Sequence, residues 1–407
     1  MQHTIHMPGG VKTILVPIEG STTITTQVFC HAGSIYETRE TNGLSHFLEH
    51  MFFKGGVRYP DAGSIAKTLD AIGADYNAYT SDYFASYYVK SAPEFAMTGL
   101  DVLADMIVNA TFPQVEVEKE SDVILQELRM YQDQPRHRMS MNANTWYYGD
   151  NPYGRPIIGS EQTIKAVSST SLHTHQKALY TKDNLLVVIA GNIEKPDEML
   201  AFLAKEFAPL PEKTHLIKPV FHEPKPPHQH AKLSQGVNQS HIAVFAQGCP
   251  IGDPDYYAAK LLSKILGGTT SSRLYMKIRE ELGLCYYVGS HFSGRPEYGT
   301  FEINAGLDKN KLQFGLDAIY KEIGDIAGGD IAASDLQHAL SNTLGSLKMG
   351  LETSDEMADR LGHYYIMTNQ IATIDDIIHK YKAVSLDQVV RMAHKLKQEN
   401  LYTYWIE

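Results

Sequence analysis

The sequence predicts an α+β chain of two homologous repeats, each an antiparallel-rich sheet packed with helices, joined by a proline-rich linker. Three observations predict it. Short alternating stretches of strand type recur between long amphipathic stretches of helix type. Their order in the first part of the 407 residues returns in the second. Between the two lies PEKTHLIKPVFHEPKPPHQHAK (211–232), rich in proline and without a sustained period. The expected division is 1–212, a linker over 213–232, and 233–407. Histidines of the linker (His215, His222, His228, His230) read as bystanders in an extended tether.

In chain order, VKTILVPI, TTITTQVFCHAG, SYYVKS and NLLVVIAGNI carry the period and β-branched content of strands. NGLSHFLEHMFFKGG (42–56) reads as a helix. Its Leu44, Phe47, Leu48, Met51 and Phe52 fall at i, i+3, i+4, i+7 and i+8, one apolar stripe. Asn42 or Ser45 is expected to cap its start and Gly55-Gly56 to end it. The segment 115–135 reads as a second helix. In the other half, AAKLLSKILGG (258–268) aligns without a gap to HFLEHMFFKGG (46–56), and TFEINAG matches SYYVKS. SSRLYMKIREELG reads as a helix with Leu274, Ile278 and Leu282 inward and Gly283 at its end.

Composition narrows the function classes. At 43% hydrophobic and 20% charged, with no biased tract, the chain is of globular type. A net charge of −11 and no basic run exclude nucleic acid as the main partner. No apolar run reaches the length a membrane helix needs. MQHTIHMPGGVKTILVPIEG has no basic region followed by an apolar block, so the expected location is cytoplasmic. Cys30, Cys249 and Cys285 are widely spaced and odd in number, which suits a reducing compartment rather than a disulfide framework.

The chemistry concentrates in HFLEH. His46, Glu49 and His50 lie off the apolar stripe, and histidines at i and i+4 stack one turn apart, where two imidazoles can share one metal ion. Glu49 projects from the same face, within reach of a water on that metal. In the ungapped repeat the three positions hold Ala258, Leu261 and Leu262, so the second half keeps the scaffold and lacks the polar set. A third ligand is needed; the helix 115–135 offers Glu116, Glu118, Glu120 and Glu127.

HFLEH resembles the inverted zinc motif of the inverzincins, the superfamily of pitrilysin, insulin-degrading enzyme and mitochondrial processing peptidase. In that family a glutamate follows the second histidine after about 76 residues; here residues 51–126, 76 in number, separate His50 from Glu127. An acidic residue seven before that ligand is matched by Glu120. NAYT (77–80) resembles the family's edge strand, and SSRLYMKIREELGLCYY (271–287) its Arg/Tyr substrate motif. The resemblance covers nearly the whole chain and is to the short bacterial-type members. It implies one zinc ion per chain on His46, His50 and Glu127, with Glu49 as general base and Glu120 orienting a histidine. It further implies that Arg279 and Tyr286 grip the substrate, Tyr286 rather than its neighbour Tyr287. Asn77 and Ala78 would receive an extended peptide through main-chain groups. A zinc endopeptidase acting on peptides or unfolded segments, as a homodimer enclosing a chamber, is the expected function. A processing-peptidase subunit with a distinct partner chain and a non-catalytic scaffold are the alternatives.

Overall fold

A computed structural model describes residues 3–214 and 220–407; His215 lies outside the described residues. The chain divides into two compact units, residues 1–130, 155–220 and 349–372 in the first and 131–154, 221–348 and 373–407 in the second. The first holds strands β1 (Thr4–His6), β2 (Lys12–Pro17), β3 (Ile24–Cys30), β4 (Asp75–Thr80), β5 (Ala85–Ser91) and β6 (Leu185–Gly191). They form one sheet in the order β1-β2-β6-β3-β5-β4, antiparallel except for the β2/β6 pair. The second holds β7 (His230–Leu233), β8 (Gln239–Gln247), β9 (Cys285–Gly294), β10 (Gly299–Asp308) and β11 (Tyr402–Ile406), ordered β7-β11-β8-β10-β9. Here too one pair, β7/β11, is parallel. Strand for strand, β2, β6, β3, β5 and β4 find their counterparts in β7, β11, β8, β10 and β9. The repeat read from sequence is thus a repeat of topology.

Two features depart from the linear division. The linker ends before residue 232, because His230 to Leu233 already pair with β11. More consequential, the helix Pro135–Tyr148 belongs to the second unit and the helix Ser354–Thr368 to the first. Polar residues on otherwise buried strands explain the exchange, since a buried polar group needs a partner. On β3, buried Gln27 donates to Ser86 Oγ (2.8 Å) and Asp359 Oδ1 (3.1 Å), while Thr25 Oγ1 pairs with Ser354 Oγ at 2.8 Å. In the second unit Tyr147 stacks on Phe245 with ring centroids 4.6 Å apart, and the Tyr148 hydroxyl meets Thr300 Oγ1 at 2.6 Å.

The helix Ser354–Thr368 reaches β3 only because Gly362 has no side chain: a methyl group there would run into the fully buried Phe29 ring. Gly362→Ala is therefore expected to destabilise the protein by roughly 1–3 kcal/mol, the usual cost of overpacking, despite alanine's better helix propensity. Urea unfolding followed by circular dichroism tests this; a variant as stable as the parent would refute the packing account.

Candidate metal centre

The HFLEH segment folds as the helix Leu44–Phe52. Leu44, Phe47, Leu48, Met51 and Phe52 are all buried, while His46, Glu49 and His50 are half-buried on the remaining surface. The stripe read from sequence is the core face. The ends differ from expectation. The cap is Gly43, in the left-handed region at φ 96°, with no side-chain cap from Asn42 or Ser45. The helix stops at Phe52, ahead of Gly55-Gly56.

The second helix runs over Gln114–Asp133 and ends before Pro135, as the residue preceding a proline disfavours helix. Val117, Ile124 and Leu128 are buried. Glu120 and Glu127, two turns apart on one side, turn toward the histidines. Glu116 and Glu118 are not among the metal-capable cluster, which consists of His46, His50 and Glu127, with ligand atoms within 4.8 Å of one another.

Within the cluster, Glu127 Oε2 lies 3.8 Å from His46 Nε2 and 3.6 Å from His50 Nε2. The imidazole centroids are 4.7 Å apart. His50 Nδ1 meets Glu120 Oε1 at 2.8 Å, and Lys54 Nζ lies 2.5 Å from Glu120 Oε2. Burial alone would raise the Glu120 carboxyl, but His50 and Lys54 hold it below its ordinary value, so it accepts. His50 then carries a proton on Nδ1, and in its neutral form its Nε2 is free to bind a metal ion together with Glu127. Ligand atoms at zinc distance, about 2.1 Å in tetrahedral array, sit about 3.4 Å apart, and the two Glu127–histidine separations are within a few tenths of an ångström of that. His46 fits as well. Burial, then the nearby His50, lowers it to about 3, leaving a neutral imidazole with a free lone pair. Its buried Nδ1 has no hydrogen-bond partner. The residues present therefore fit zinc.

Glu49 stands outside this triangle. Burial raises its carboxyl above the ordinary value, and the Thr80 hydroxyl donates to its Oε2 at 2.5 Å. Thr80 ends β4, the edge strand that carries Asn77 and Ala78. On that strand the Ala78 N–H donates to Asn77 Oδ1 at 2.9 Å.

In the second unit, the helix Tyr256–Gly267 aligns with the histidine helix, and its Ala258, Leu261 and Leu262 are fully buried. Residues Tyr275–Glu281 wind as a π-helix, not the expected α-helix, with the Leu284 N–H reaching back to the Ile278 carbonyl at 3.0 Å. Leu274 and Ile278 are buried, but Leu282 is only half-buried and Leu284 takes the inward place. The extra residue per turn shifts the register. Arg279 lies against the Tyr286 ring, 5.4 Å from its centroid, and donates to the Tyr275 hydroxyl at 2.5 Å. Tyr286 is 78% exposed. Tyr287, on the opposite face of β9, is held by Arg136 over its ring (4.4 Å) and by His241 Nδ1 at its hydroxyl (2.9 Å). Arg279 and Tyr286 are thus a pair, and Tyr287 is otherwise engaged.

Sequence reasoning passed over Thr80, Lys54 and Glu37, the last a buried carboxylate at the start of the histidine helix. Only GSIYE, a charged residue in an otherwise apolar and small stretch, hinted at Glu37.

Duplicated topology and a donor set confined to one repeat define the class: a two-repeat α+β chain with a candidate metal centre on one half. The chain belongs to the family described as Insulinase (Peptidase family M16). That family matches residues 13–161, and residues 166–343 match its companion described as Peptidase M16 inactive domain. An uncharacterized zinc protease of Bacillus subtilis is 33% identical over 96% of this chain and 94% of its own length. One of Streptomyces coelicolor is 27% identical over 95% of this chain and 85% of its own. Among solved structures, a protease from Helicobacter pylori superposes with a TM-score of 0.91 at 22% identity, covering 100% of this chain and 99% of that one, a likeness of fold. The description of the second match suits the second unit, whose aligned helix has Ala258, Leu261 and Leu262 where the first has His46, Glu49 and His50.

Proposed function

We propose that this chain is a zinc-dependent endopeptidase that cuts peptides or unfolded segments inside a closed chamber formed by two copies. The triangle of His46, His50 and Glu127, with Glu49 one residue from a ligand yet outside the triangle, carries the reading. A zinc ion bound there supplies Lewis acidity toward the scissile carbonyl and makes water a nucleophile near neutral pH. Glu49 takes the proton of the attacking water and returns it to the leaving amine. Burial helps, since a carboxylate whose conjugate acid is raised from its ordinary value is a stronger base in the first half of that exchange. Thr80 fixes which Glu49 oxygen is free. Glu120 holds His50 in one tautomer. The edge strand β4 receives an extended peptide by strand addition, with little demand on sequence. Arg279 and Tyr286 bind the substrate chain, and Tyr286 donates a hydrogen bond where negative charge develops.

A full ligand set in the first half speaks against a non-catalytic scaffold. The short GGTTSS (267–272) speaks against dependence on a distinct partner chain, and a homodimer is the simpler assembly. Three cysteines free of disulfides suit a reducing compartment such as the cytoplasm. Among the described residues no helix is long and apolar enough to cross a membrane.

The test is a size series of peptides, unfolded proteins and their folded forms, digested with and without chelator, with cut sites read by mass spectrometry. Peptides and unfolded chains should be cut, folded ones spared, and chelator should abolish cleavage until zinc is returned. Cleavage indifferent to chelator would overturn the proposal.

A further inference from the structure

Behind the histidine helix lies a carboxylate that the chemistry above does not use. Glu37 is 4% exposed. Its Oε2 accepts from Asn42 Nδ2 at 3.0 Å and from the Gly43 N–H at 2.8 Å; its Oε1 accepts from the Ser45 N–H at 2.7 Å. The first amides of a helix have no partner within it, and the cap residue here, a glycine, brings no side chain to serve them. Glu37 serves them from several residues away, and a negative charge at that end also favours the helix dipole.

The carboxylate is itself anchored. Arg155 donates to the Glu37 main-chain carbonyl, and Asn42 Nδ2 also donates to the Pro156 carbonyl at 2.9 Å. Gly43 and Gly159, both at positive φ, pack so closely that a Cβ on Gly43 would lie 2.8 Å from the Ile158 carbonyl oxygen. Ser45 Oγ meets His175 Nε2 at 3.0 Å. All these contacts converge on one turn, the turn that precedes His46. The three N–H groups that reach Glu37 are all donors, an arrangement that suits the ionised form. Burial nevertheless pushes its carboxyl up to about 7 against the pull of Ser45, Gly43 and Asn42. Keeping a charge there costs stability, which a purely structural cap on the surface would avoid.

Its location also tracks the ligands. The register that aligns His46, Glu49 and His50 with Ala258, Leu261 and Leu262, continued upstream without a gap, places Cys249 opposite Glu37. The half without donors is also without this carboxylate.

We infer that Glu37 is a positioning residue of the metal centre. By holding the Gly43 and Ser45 amides it fixes the rotation and rise of the histidine helix, so that both Nε2 atoms meet Glu127 at matched distance. The inference rests on the reading of His46, His50 and Glu127 as a metal site.

Cobalt(II) substitution tests it. The parent should bind one cobalt per chain with a visible absorption band. Glu37→Gln sets an amide against amide donors; it should alter that band and release cobalt to EDTA about ten-fold faster or more, the worth of one hydrogen bond to a charged group. A folded Glu37→Gln with the parent's band and release rate would overturn the role. Should Glu37→Gln fail to fold, Asn42→Ala keeps the carboxylate and both amide bonds and should speed release by about three-fold or more, the worth of one hydrogen bond. Release unchanged in Asn42→Ala would then overturn it. A parent that binds no cobalt defeats the metal-site reading itself, a result separate from either variant's behaviour.

Discussion

Glu49→Gln is expected to lower kcat by about 10³-fold or more while leaving the bound zinc in place. General acid–base catalysis supplies typically about 10²–10⁴-fold, and here one residue is assigned both proton transfers. The substitution keeps side-chain volume and leaves an oxygen to accept the Thr80 hydroxyl. It touches none of the three donors that approach one another at the cluster. Metal analysis of the purified variant beside its peptidase rate tests both halves of the expectation. Turnover within about ten-fold of the parent would remove Glu49 from the role, given the size of such effects. The parent's own titration is a further check. A carboxyl raised above its ordinary value of 4.5 becomes protonated earlier as pH falls. In the metal-free parent that carboxyl should therefore titrate above the usual carboxylate range, though below where burial alone would put it because Thr80 lowers it. Zinc, a positive charge close by, should bring it down, and comparing the titration with and without the ion checks this.

How far the site was legible in sequence depends on the range of the interactions that build it. The apolar stripe of the histidine helix is a local periodicity and leads to the face it predicts, whereas Glu120 and Glu127 are singled out from four glutamates only by the resemblance to a family. The repeat was legible because each half must build the same sheet, and its hydrophobic pattern survives where the ligands are absent. The helix start was not legible, since its amides are served by Glu37 rather than by Asn42 or Ser45. The π-winding of Tyr275–Glu281 hid because Leu274 and Ile278 are inward in either kind of helix; only Leu282 and Leu284 distinguish them. The exchanged helices hid for another reason. Gln27 on β3 finds Asp359 across 332 positions of chain, a partnership that no periodicity encodes. Thr80 and Glu49 are likewise joined only by the fold, where the edge strand ends beside the helix.

His50→Ala should abolish both zinc binding and cleavage, and its effect on stability should change direction with pH according to whether zinc is present. In the metal-free protein burial lowers His50, but the hydrogen bond and charge of Glu120, with Glu49 and Glu127, outweigh it and raise the imidazole above 6.5. A histidine raised on folding adds stability that is complete below the unfolded value and lost as pH climbs through the folded one. Without metal, then, the parent's advantage over His50→Ala should be largest near pH 6 and shrink toward pH 9. Zinc needs the unprotonated imidazole, so its contribution runs the other way and grows over the same interval. His50→Ala also leaves Glu120 with Lys54 as its remaining charged partner, and the ligand's loss should weaken zinc by more than the roughly 10–100-fold typical of an outer partner. Urea unfolding of parent and variant at both pH values, with zinc and with chelator, gives the four comparisons. An advantage that shrinks with pH even in zinc would mean that His50 serves the fold through Glu120 alone and holds no metal.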